Sequence, residues 1–183
     1  MQAAIQTIAL IIALVLFALP NTSFSAENEF QPGTWTGQVF GHVMDDVSGH
    51  SDISYALTLG AGRFVLPGFS INAEVSGWLV TQDCDDATGV GFAIVPRWHF
   101  YRAEFWSIYV DGGLGVIWTN ENVPPGAKKQ NFTEFAGLGF TRSITEKLRL
   151  MAGARYRHVS NANGSDNPGL DNVEGYLGLM LPF

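Results

Sequence analysis

The sequence predicts an all-β chain: a single eight-stranded antiparallel transmembrane β-barrel. Three observations predict it. About eight segments alternate apolar and other residues between turn signals. The second parity of those segments carries charges of both signs, which could pair inside a narrow lumen. The connections alternate between long and short, as they do in outer-membrane barrels.

The chain has 183 residues and a net charge of −7. Its first 26 residues hold no Lys, Arg, Asp or Glu. Ile8 to Leu19 is an apolar run too short to span a bilayer as a helix, Pro20 breaks it, and Ser23, Ser25 and Ala26 follow. Residues 1–26 therefore read as a secretory signal peptide cut after Ser25 or Ala26, with an uncleaved apolar anchor as the alternative. Residues 27–183 are then one domain, the barrel. The acidic balance argues against nucleic acid as a partner. The single cysteine, Cys84, excludes an internal disulfide and a Cys-rich metal site.

The strand segments run approximately over Thr34–Met44, Ile53–Leu66, Phe69–Thr81, Gly89–Phe100, Phe105–Thr119, Phe132–Arg142, Lys147–Ser160 and Val173–Phe183. In the second, Ile53, Tyr55, Leu57 and Leu59 alternate with Ser54, Ala56, Thr58 and Gly60. In the fourth, Phe92, Ile94, Pro96, Trp98 and Phe100 oppose Ala93, Val95, Arg97 and His99. The opposite face collects Asn72, Glu74, Arg97, His99, Asp111, Arg149, Arg155 and Arg157. A membrane barrel puts the apolar face outside and this face inside. A lipocalin-like soluble barrel would do the reverse, and the Arg-bearing face counts against it. Trp35, Trp98, Trp106 and Trp118 suit interfacial girdles, whereas parity puts Trp78 inside.

The seventh segment carries the chemistry. Leu148, Leu150, Ala152, Ala154, Tyr156, His158 and Ser160 share one parity, so an apolar face ends in a histidine and a serine at the long-loop end. A serine hydroxyl is a weak nucleophile and needs such a base, and the base needs an acceptor to orient it. Asp166, Asp171 and Glu174 follow as acids, and Asn161, Asn163, Asn167 and Asn172 as donors to an oxyanion. Ser48, His50 and Asp52, with Asp45 and Asp46 nearby, read as a solvated loop. Asp83, Asp85 and Asp86 offer hard oxygen ligands without a visible geometry, so no metal site is assigned.

The tract Arg155-Tyr156-Arg157-His158-Val159-Ser160-Asn161-Ala162, then Asn167-Pro168-Gly169, then Glu174-Gly175-Tyr176 and a terminal apolar strand, resembles the lipid A 3-O-deacylase family of the PagL type. The resemblance implies an outer-membrane esterase that hydrolyses the ester-linked 3-hydroxyacyl chain of lipid A. It implies His158 as base, Ser160 as nucleophile, Glu174 as orienting acid, and Asn161 with Asn172 or Asn167 at the oxyanion. No cofactor is implied. The implied substrate is lipopolysaccharide and the setting is the outer membrane, with a homodimer left open. The alternatives are a structural or adhesive barrel without activity, and an outer-membrane phospholipase. One tension is visible in the pattern. Leu177, Leu179, Leu181 and Phe183 take the lipid face, so strict alternation turns Glu174 inward, away from His158. A bulge at Gly175 or a late strand start would resolve it, and Asp171 is the next acid. On this reading Glu174→Ala is crippled and Asp171→Ala nearly normal.

Overall fold

The computed structural model describes residues 29–49, 53–82, 85–161 and 169–183. The signal segment, His50, Asp52, Asp83, Cys84, Asn163, Asp166 and Asn167 lie outside them. Eight strands follow one another: β1 (Trp35–Asp46), β2 (Ile53–Leu66), β3 (Phe69–Thr81), β4 (Ala87–Arg102), β5 (Trp106–Thr119), β6 (Gln130–Thr145), β7 (Leu148–Ser160) and β8 (Leu170–Pro182). Each pairs antiparallel with the next, and β8 pairs with β1 to close the barrel. The strand ends that the long connections join, at Asp46 and Ile53, Thr81 and Ala87, Thr119 and Gln130, and Ser160 and Leu170, lie at one end. The short ones, 67–68, 103–105 and 146–147, lie at the other with the described N-terminal residues and Phe183.

Several strands outrun their apolar pattern. β4 extends to Arg102, β6 spans Gln130–Thr145, and β8 starts at Leu170 rather than Val173. Ladder hydrogen bonds need no apolar side chain, so pairing continues into the polar rims where alternation is silent. The three extra residues at the start of β8 bring Asp171 into register with His158.

Alternation sorts the two faces as expected. Leu57, Leu59, Val75, Leu79, Val90, Leu114 and Leu138 are exposed on the outside. All eight polar residues expected inside are buried, as is Trp78. Water cannot neutralise charges there, so they must pair. Arg97 donates to Asp111 (3.1 and 3.2 Å) and to Gln38 (2.8 Å). Arg155 donates to Asp111 (2.8 Å) and lies 4.4 Å over the Phe135 ring. The lumen is a packed polar core.

Each mouth is closed by apolar side chains. At the short-turn end Phe30 packs against His99 (4.6 Å between ring centres) and lies under Arg149, which pairs with Glu29 at 2.5 Å. At the long-loop end Met44, Trp78, Val80, Ile117, Val123, Val159 and Leu170 form one buried cluster. Trp35, Trp98 and Trp106 are exposed near the first rim and Trp118 near the second. That is girdle placement for amphipathic rings.

Candidate active site

β7 and β8 supply the site from one hairpin. Val159 and Leu170 are register partners, and both side chains are sunk in the apolar cluster that closes the long-loop mouth. Because faces alternate, anchoring Val159 inward throws His158 and Ser160 outward, and anchoring Leu170 throws Asp171 outward. His158 and Asp171 are themselves register partners. Facing residues of an antiparallel pair bring their Cβ atoms to about 5 Å, and the His158 Nδ1 to Asp171 Oδ1 distance is 2.7 Å. The two side chains are 35% and 33% exposed, open to whatever lies outside the barrel.

A carboxylate only accepts, so Nδ1 carries the proton and Nε2 of the neutral ring is left as a base. Ser160 follows two residues on, along the same face and half-buried. Tyr156, one step back on that face, is exposed beside it. Gly169 leans on the opposite side of the imidazole: a Cβ there would stand 2.7 Å from His158 Cε1. Real Cβ contacts essentially never come that short, so any larger residue at 169 would displace the imidazole.

Glu174 does not meet His158. It is fully buried in the lumen, where it accepts from His42 Nδ1 (2.5 Å) and Arg157 Nε (2.8 Å). The register of β8 runs unbroken from Asn172 to Met180 against both neighbours, so no bulge at Gly175 turns Glu174 outward. Instead the strand begins early enough to put Asp171 opposite the histidine. Asn172 is likewise fully buried and inward. Asn161, next to Ser160, is buried at the end of β7, and Asn167 lies outside the described residues.

Two features were not anticipated from the chain. Glu134 on β6 is an exposed carboxylate that pairs in register with His158, on the side away from Asp171. Beside it a groove of about 680 Å³ runs over the outer surface of β4 to β7. Its floor is the register pair Gly112 and Ala136, and Ile94, Pro96, Leu114 and Tyr156 wall it. Both could have been read from parity: an acid at an outward position of β6, and small residues at outward positions of neighbouring strands. Among the described residues no three His, Cys, Asp or Glu side chains gather as a metal site.

The family model described as lipid A 3-O-deacylase (PagL) matches residues 30–180. The chain belongs to the PagL family. It is therefore an outer-membrane barrel, with the long loops at the external end. Among solved structures it is similar to Neisserial surface protein A (NspA), with a TM-score of 0.66 at 13% identity over 82% of this chain and 99% of that one. The outer membrane enzyme PagL aligns with a TM-score of 0.61 at 18% identity, over 80% of this chain and 99% of that one. The N-terminal barrel domain of Pseudomonas aeruginosa OprF follows, with a TM-score of 0.58 at 16% identity over 83% and 98%. At these identities the likeness is one of fold. No curated protein matches the chain significantly.

Proposed function

We propose that this PagL-family barrel is a lipid A 3-O-deacylase in which Ser160 is the nucleophile, His158 the base and Asp171 the orienting acid. The observation that carries the reading is the 2.7 Å His158–Asp171 hydrogen bond on the outer face, with Ser160 next along the same strand. Ser160 Oγ attacks the acyl carbonyl while His158 Nε2 takes its proton. Asp171 holds Nδ1–H and stabilises the imidazolium that forms. The protonated His158 then gives its proton to the departing sugar oxygen, leaving an acyl-enzyme. Water, activated by the same imidazole, releases the 3-hydroxy fatty acid and restores Ser160. The groove beside Glu134 takes the acyl chain, and Asn161 and Asn167 are the candidate oxyanion donors. The reaction draws on no cofactor.

The test is mass spectrometry of lipid A from a host that lacks the activity, expressing wild type or Ser160→Ala. Wild type is expected to remove one 3-hydroxyacyl chain from lipid A and to leave phospholipids intact. The variant is expected to leave lipid A whole while keeping its heat-modifiable gel mobility. Fatty acid release from phospholipid instead would make the protein a phospholipase, and no release from either would leave a barrel without this activity.

A further inference from the structure

The turn after β1 looks from the chain like a solvated acidic loop, yet its hydrogen bonds converge on Asp171. Val47 N–H donates to the Asp171 carbonyl at 2.7 Å. Asp171 N–H donates to Ser48 Oγ at 3.4 Å. The Ser48 hydroxyl in turn donates to Asp46 Oδ1. Asp46 is nearly buried and also accepts from the backbone N–H groups of Ser48 and Gly49, each at 2.9 Å. Gly49 sits at φ +106°, a conformation that L side chains rarely adopt, so the turn is built for glycine.

The direction of this chain of bonds is set by its end. A carboxylate cannot donate, so Asp46 takes the hydroxyl proton and leaves a Ser48 lone pair aimed at Asp171 N–H. Bonds in such a series polarise one another. Asp171 is thus gripped at both backbone polar groups from the turn after β1, while its side chain holds His158 on β7. It needs that grip. It is the second residue of β8, where a strand end frays, and it follows a long loop. An orienting carboxylate must nevertheless stay within about 0.5 Å of its working position.

We propose that Asp46 and Ser48 are positioning residues for the deacylase reaction: they clamp the Asp171 backbone so that its carboxylate holds His158 in register with Ser160. The proposal rests on the Ser160–His158–Asp171 reading. The test uses full-length protein in detergent with purified lipid A, comparing wild type, Ser48→Ala, Ser48→Thr and Asp46→Ala alone and in an Asp171→Ala background. Ser48→Ala and Asp46→Ala are expected to lower kcat about tenfold with KM unchanged, the effect of one positioning bond. Ser48→Thr, which keeps the hydroxyl, is expected to recover most of kcat. In the Asp171→Ala background the same changes are expected to cost nothing further, because residues that act through one another are not additive. Full activity of Ser48→Ala, additive losses in the double variants, or activity lost together with heat-modifiable mobility each overturn the clamp. An inactive wild type overturns the deacylase reading itself, whereas an active wild type with an indifferent Ser48 overturns the clamp alone.

Discussion

β8 carries two carboxylates three residues apart, and each holds a histidine. Glu174 holds His42 at 2.5 Å in the lumen, and Asp171 holds His158 at 2.7 Å on the outer face. The pairs share their chemistry and differ in everything around it. The inner pair is almost fully buried, and its members are occupied by Arg157 and by Thr58, whose Oγ1 lies 2.8 Å from His42 Nε2. No nitrogen of His42 is left for a substrate, and the packed lumen admits none. The outer pair is a third exposed, stands beside a hydroxyl, and opens onto a groove. A histidine–carboxylate contact therefore becomes a candidate for catalysis by what its far nitrogen faces, not by its own geometry.

That contrast can be broken or sharpened by four measurements. The largest effect is expected at the proposed base. His158→Ala should cut lipid A deacylation at least about a thousandfold, because triad members act as a unit. Near-normal turnover by that variant, followed by fatty acid release, would remove the outer pair from the chemistry. The second measurement sets the two acids against each other. Asp171→Ala should lower kcat by about 10²–10⁴ and leave resistance to urea unchanged. Glu174→Ala should do the opposite. It leaves the buried Arg157 without its carboxylate and His42 Nδ1 without its acceptor, so unfolding in lipid vesicles should shift by about 3–5 kcal/mol while kcat per folded molecule stays near wild type. A crippled but stable Glu174→Ala would return the orienting role to the lumen.

The third change is subtler. Gly169→Ala puts a methyl group 2.7 Å from His158 Cε1, so the ring must move. A misplacement of about 1 Å can cost about a hundredfold, and a fall of about tenfold or more in kcat at unchanged gel mobility is expected. The smallest effect is expected for Tyr156→Phe, which removes an exposed hydroxyl from the face that carries His158 and keeps the ring. A loss of about two- to tenfold in single-turnover rate would match one hydrogen bond to substrate or acid. No change would mean that the hydroxyl takes no part.

The barrel was legible because two periodic signals agreed. Leu57 and Leu59 on one parity and Arg97 and Arg155 on the other cannot both be satisfied by a soluble sheet. The outward placement of His158 and Ser160 was legible for the same reason, as polar groups ending an apolar stripe. The placement of Asp171 opposite His158 was not, because its face depends on where a strand starts. Val173 is the first apolar residue that alternation recognises, yet backbone pairing begins at Leu170. The inward parity of Glu174 was visible in the chain and is what the structure has; the escape through a bulge at Gly175 is absent. The partnership of Ser48 with Asp171 links residues 123 positions apart across the closure of the barrel, and no local pattern encodes it.

That closure has a consequence in time. The contacts that steady Asp171 come from the turn that ends the first strand, and the first strand meets the last only when the cylinder shuts. A chain on its way into the membrane already carries His158 and Ser160, the proposed base and nucleophile, on one hairpin, but not the wall that steadies Asp171. Hydrolytic competence should therefore arrive with the final stitch of assembly and not before, so that an unfinished molecule is a poor hydrolase wherever it waits.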